Sequence, residues 1–117
     1  MPTFDLNRYA ITAYMDDIST AGQVYVVAPF AGEIREIWST IDGAIGTANA
    51  VLTAKIGGTA VTGGVLTVTQ SGSAAGDVDV AYPTAARSVA AGQAIEIETN
   101  GASTNTVPVH FTIVIER

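Results

Sequence analysis

Apolar and polar residues alternate with period two along most of this chain, in short stretches cut by glycine. The longest such run lies near the C-terminal end. There Val107, Val109, Phe111, Ile113 and Ile115 alternate with Pro108, His110, Thr112, Val114 and Glu116. Residues two apart on a strand point to the same face, so this run predicts a strand with one buried side. A second alternation sets Tyr9, Ile11 and Ala13 against Ala10, Thr12 and Tyr14, ahead of the acidic step Asp16-Asp17. Residues 22–30 are rich in β-formers, and Pro29, which has no N–H for a ladder, marks an edge or strand end. Gly32 reads as a turn or bulge.

In the stretch 33–41, Ile34, Glu36 and Trp38 share one face with Arg35, Ile37, Ser39 and Ile41 on the other. Charge and apolar groups are mixed on both faces, which predicts a bulge near Arg35-Glu36. Asp42-Gly43 is a turn signal. Ala50, Leu52, Ala54 and Ile56 then share a face, and Gly57-Gly58 supplies the two positive-φ positions of a tight hairpin returning through Val61. Gly63-Gly64 is expected to separate that return from a further strand over 65–69. After a small-residue loop at 71–76, residues 77–82 make a short strand closed by Pro83, and Gly92 turns the chain into Ile95 and Ile97. No window carries a 3.6-residue stripe, and residues 84–90 have room for one helical turn at most. The pattern predicts an all-β antiparallel jelly roll or β-sandwich of about eight strands with an extended N-terminal arm. Residues 1–21 form the arm, with a possible first strand, and residues 22–117 a single sandwich domain.

Composition narrows what such a fold can do. At 117 residues the chain is one domain, able to bury roughly two-thirds of its unfolded surface. Only 14% of residues are charged, against a usual ~25%. Much of the surface is therefore Ala, Thr, Ser and Gly, which shed water cheaply on contact with a partner. The net charge is −6, and Arg8, Arg35, Lys55, Arg87 and Arg117 are scattered. This argues against nucleic acid and against anionic membrane surfaces as partners. Pro29 interrupts the longest apolar run, residues 24–31, which is far short of the ~20 residues of a spanning helix. The N-terminal residues lack a signal peptide's basic start and apolar middle, so cytosolic synthesis is expected. There is no cysteine and hence no disulfide framework.

Reactive groups are few. His110 is the sole histidine, so a catalytic triad or a multi-histidine metal site is out of reach of one chain. Its place on the polar side of the last strand makes it an exposed or interface residue. Asp77/Asp79 and Glu96/Glu98 sit at i, i+2 and each pair clusters negative charge on one face. Glu96 and Glu98 could serve a small glycosidase, and Asp77 with Asp79 could ligate Ca²⁺ with loop carbonyls. Solvated charge is the simpler account of both pairs. The double glycines precede neither a Gly-Lys-Ser/Thr nor a helix, so they are turns rather than phosphate loops. No catalytic residue, cofactor or metal is expected, and no enzymatic activity. Trp38, Phe30, Tyr25 and Phe111 are expected in the core. Tyr9, Tyr14 and Tyr82 have weaker apolar context and are the candidate protein-interface residues.

In the segments VYVVAPFAGEIREIWS, VLTAKIGG, VTGGVLTVTQSGSAAGD and SVAAGQAIEIETNG the chain resembles the jelly-roll head decoration (cement) proteins of tailed bacteriophages. The likeness runs from about Ile18 to Glu116. It implies a structural virion protein that binds the outside of an assembled capsid and stabilises it by bridging capsomers. The implied partners are the major capsid protein and further copies of the chain, as a dimer or trimer. The implied location is the capsid exterior after synthesis in the host cytoplasm. The family supplies no catalytic residues to carry over. The arm-like composition ahead of Gly22 adds a mechanism: residues 2–17 would join a neighbouring sheet edge, with Tyr9 and Tyr14 as anchors. The alternatives are another virion part such as a tail or fibre protein, and a carbohydrate-binding or host-attachment module stacking sugar on Trp38 or Tyr82.

Overall fold

The computed structural model describes residues 7–117. Nine strands form among them: β1 (Arg8–Met15), β2 (Gly22–Val27), β3 (Gly32–Ile41), β4 (Ala50–Ile56), β5 (Thr59–Val68), β6 (Val78–Ala81), β7 (Ser88–Val89), β8 (Ala94–Thr99) and β9 (Val109–Glu116). They build two antiparallel sheets. The first runs β1-β9-β3-β6, with the two-residue β7 beside the start of β3, and the second runs β2-β8-β4-β5. With β7 set aside, the eight strands switch sheets at every connection except the β4–β5 hairpin, as in a jelly roll. Each sheet combines strands from both ends of the chain.

The N-terminal segment is not an arm over its described part. β1 pairs with β9 from Arg8 opposite Glu116 to Met15 opposite Val109, and so occupies a place inside the jelly roll. Its Tyr9, Ile11 and Ala13 pack against the core from the inward side. Residues 1–6 of the expected arm lie outside the described residues.

Alternation fills the space between the sheets. Val109, Phe111, Ile113 and Ile115 of β9 and Ile34, Ile37 and Ile41 of β3 meet Leu52 and Ala54 of β4, Ile95 and Ile97 of β8, and Leu66 and Val68 of β5, all buried. The bulge expected near Arg35 is present: Ile34 faces Ile115 while Glu36 faces Val114, so Arg35 is the extra residue. It resets the alternation and lets both Ile34 and Ile37 point inward. Gly57 and Gly58 have φ of 59° and 81°, and the hairpin closes with Ile56 opposite Thr59.

Two turn expectations are corrected. Gly63-Gly64 does not split a strand: β5 is continuous, and between the Thr53–Val65 and Lys55–Ala60 pairs it arches outward opposite Ala54 alone. The arch carries Thr62 across to the β6–β7 connection, where its N–H donates to the Ala85 carbonyl and its own carbonyl accepts from Thr84. Gly63, at φ 76°, makes the arch possible, and the two Thr62 bonds stitch the open edge of the sandwich shut. Gly32 is neither turn nor bulge but a close approach. A Cβ there would lie 2.5 Å from the Glu116 carbonyl oxygen and 2.7 Å from Ile115 Cγ2.

Replacing Phe111 by Ala should cost about 3–5 kcal/mol, because the ring is fully buried between sheets held apart by rigid neighbours. Gly32→Ala should also destabilise, since the obstructing atom is backbone and cannot step aside. Denaturant unfolding followed by tryptophan fluorescence reads both, and a Gly32→Ala variant as stable as the parent would contradict the close-approach account.

Candidate functional site

The strand register sorts the surface into two sheet faces and two ends. On the outer face of the first sheet, Thr12, Thr112, Trp38 and Val80 form one row, from β1 through β9 and β3 to β6. Tyr14, His110, Thr40 and Val78 form the next. None of these eight residues is an acid, a lysine or an arginine. Tyr14 is 49% and Val78 57% exposed, large values for residues of this size on a regular sheet. Tyr82, just past β6, is 58% exposed and by alternation continues the side of Val78 and Val80.

The aromatic groups in this face are held. Trp38 Nε1–H donates to Glu36 Oε1 at 3.0 Å. Tyr14 leans on the His110 ring, with centroids 5.0 Å apart. His110 Nε2 in turn lies 3.1 Å from Asp42 Oδ2. A surface whose rings already have partners loses little rotamer freedom when something packs onto it.

The outer face of the second sheet is different in kind. Tyr25, Glu96 and Lys55 form one row across β2, β8 and β4, and Gln23, Glu98, Thr53 and Val65 form another across all four strands. Lys55 Nζ meets Glu98 Oε1 at 3.1 Å. The pair Glu96/Glu98 therefore does share one face, as its spacing predicts.

Charge also divides along the strands. All five Lys and Arg sit toward the end where β1 starts and β9 finishes, and four are paired: Arg8 and Arg35 with Glu116, Arg87 with Glu33, and Lys55 with Glu98. Arg117 lies over the Phe30 ring, 5.0 Å from its centroid. The loops at the opposite end carry Asp16, Asp17, Asp42 and Asp77, with no lysine or arginine. Asp17 is held below the usual carboxylate range, chiefly by the Ser19 hydroxyl, then by the Thr20 hydroxyl and the Ser19 N–H.

Glu116 accepts from Arg35 at 2.7 Å and Arg8 at 3.0 Å, which pulls its titration below the usual glutamate range. Arg35 is correspondingly pushed up, first by its hydrogen bond to Glu116. Asp79 moves the other way. It sits opposite Ser39 on the inward side of β6, so desolvation raises it, helped by the charge of Asp77. Asp77 Oδ2 is occupied by the Ala74 N–H at 2.9 Å. Among the described residues no group of three or more His, Cys, Asp or Glu could hold a metal ion, and no helix is long and apolar enough to cross a membrane.

The three sequence-predicted interface tyrosines are not brought together. Tyr14 and Tyr82 are exposed toward opposite edges of the first sheet. Tyr9 is half-buried on the inward side of β1, edge-on to Phe30, and its hydroxyl donates to the Phe30 carbonyl. Of the residues expected in the core, Phe111 is there, while Tyr25 and Phe30 are 60% and 52% exposed and Trp38 lies half-buried on the outer face. The run Val24-Tyr-Val-Val27 is apolar at every position, so its alternation was hidden until Val24 and Val26 faced inward.

No protein-family model matches the chain, and no curated relative matches it by sequence. Solved structures do match in shape. A capsid structure of Helicobacter pylori bacteriophage KHP30 shares 14% identity at a TM-score of 0.55, over 94% of this chain and 87% of that one. The carbohydrate-binding module CsCBM6-3 from Clostridium stercorarium, in complex with cellobiose, shares 11% at 0.55, over 97% and 83%. A family 43 arabinoxylan arabinofuranohydrolase from Bacillus subtilis shares 14% at 0.61, over 100% of this chain but 23% of that enzyme. The likeness is one of fold. The chain spans about a quarter of the glycoside hydrolase chains it matches.

Two of the three shifted carboxylates, Glu116 and Asp79, make opposite pH contributions. Glu116, lowered in the fold, adds stability above its ordinary titration range, and that contribution disappears as pH falls through the lowered value. Asp79, raised in the fold, favours the protonated state, so its contribution falls as pH rises from the ordinary aspartate range through the raised value. Asp79→Asn should therefore stabilise the protein at neutral pH, with the gain vanishing below the ordinary aspartate range. Thermal unfolding across pH tests this; a gain independent of pH would contradict it.

Proposed function

We propose that this chain is a structural protein of a phage virion that seats on the outside of the capsid and bridges neighbouring capsomers. The observation that carries the reading is the outer face of the first sheet. Two full rows of four strands without an acid, lysine or arginine, containing Tyr14, Trp38, Val78 and Val80, form a surface whose desolvation is cheap and whose aromatic groups are already positioned. The shape shared with phage capsid structures supports it, as does the resemblance of the turn-and-strand motifs to head decoration proteins.

In this reading the work is binding, with no catalytic step. The major capsid protein is the partner, and the chain acts as a dimer or trimer. The expected strand addition by residues 2–17 is replaced by face packing, because residues 8–15 are already built into the first sheet as the edge strand beside β9.

Purified protein mixed with undecorated capsids of the cognate phage should co-sediment at a fixed stoichiometry. Tyr14→Glu combined with Val78→Arg places two charges in the uncharged rows and should weaken binding by at least about tenfold, with the fold intact. Undiminished occupancy of that double variant would overturn the assignment of the face.

A further inference from the structure

We propose that the outer face of the second sheet is a binding platform for a neutral oligosaccharide, centred on Tyr25 and Glu96. This site lies on the opposite side of the sandwich from Tyr14 and Trp38, and the inference does not rest on the capsid reading.

Three adjacent strands present three chemistries in order. The edge strand β2 offers the exposed apolar stripe Tyr25 and Val27, 60% and 56% exposed. Its neighbour β8 offers the carboxylates Glu96 and Glu98. The next strand, β4, offers the Lys55 ammonium and the Thr53 hydroxyl. Gln23 adds an amide beside Tyr25, its Nε2–H reaching the tyrosine hydroxyl at 3.5 Å. Glu98 is bound to Lys55, while Glu96 makes no side-chain hydrogen bond or ion pair among the described residues.

A pyranose matches that order. Its C–H face packs on an aromatic ring, and its equatorial hydroxyls project sideways as donors and acceptors. Strands lie about 4.8 Å apart and same-face residues about 6.8 Å apart, the scale of one sugar ring. A hydroxyl donor satisfies the unpaired Glu96 carboxylate at the edge of a ring stacked on Tyr25, and the next sugar reaches Glu98, Lys55 or Gln23.

The same residues argue against other occupants. An apolar protein surface packing over this face would bury the Glu96 charge without a partner, at a high desolvation cost. An anionic ligand would face two carboxylates and a chain of net charge −6. A neutral saccharide meets neither penalty, because its hydroxyls replace the water that the carboxylate loses.

The test titrates cellotetraose, xylotetraose, chitotetraose and maltotetraose separately into isotope-labelled protein while amide resonances are followed. At least one should shift Gln23, Tyr25, Glu96 and Lys55, with half-saturation at about 1 mM. Tyr25→Ala and Glu96→Ala should each raise that concentration at least about tenfold. Both side chains project from the surface, so the variants should keep the parent's spectrum elsewhere. Tyr14→Glu on the opposite face should leave saccharide binding unchanged. Absence of shifts with all four sugars at about 10 mM, shifts confined to other surfaces, or unchanged binding by Tyr25→Ala would each overturn the proposal.

Discussion

Strand β9 holds this fold together by pairing on both sides. It lies between β1 and β3 over its whole length, and its inward residues Val109, Phe111, Ile113 and Ile115 are buried at 1% exposure or less. Because its partners come from the opposite end of the chain, the first sheet cannot form until the termini meet. The second sheet repeats the arrangement, with β8 between β2 and β4. Contacts this distant in sequence carry a large loop-closure cost and imply slow folding for a chain of this size. Once made, they hold β1 within the first sheet.

That topology also decides the division of labour between faces. Placing β1, β9, β3 and β6 side by side aligns two outward residues from each strand, none distinctive alone, into a patch around Trp38 and Tyr14 without acid, lysine or arginine. Placing β2, β8 and β4 side by side sets Tyr25 next to Glu96 and Lys55. The low overall charge is thus not spread evenly. Cations and glutamates pair at one end, aspartates occupy the loops at the other, and one sheet face is left with no acid, lysine or arginine in two successive rows.

Much of the fold was legible because its signals are local. Gly57-Gly58 between alternating strands can only be a tight hairpin, and the charge-mixed run around Arg35 can only be reconciled with one buried face by a bulge. The misreadings arose where the competing states differ in distant partners. Gly63-Gly64 resembles a turn until Thr62 finds Ala85 across the sandwich edge. Gly32 resembles a turn until the β9 backbone occupies the space a Cβ there would need. Tyr25 and Phe30 resemble core residues because an unbroken apolar run does not reveal which side faces inward. The contact that holds Tyr9 against Phe30, at the inward side of the first sheet, likewise joins residues that no local pattern pairs.

The amino-acid sequence by itself determined the strand class, the approximate strand count, the Gly57-Gly58 turn, the Arg35 bulge and the poverty of reactive groups. Each follows from period-two alternation, backbone permissiveness or composition, all properties of near neighbours. Only the tertiary structure decided which strands lie side by side, and therefore which residues share a face. A sheet surface is assembled from one residue per strand, drawn from positions as far apart as Thr12 and Thr112, and no local pattern records that adjacency.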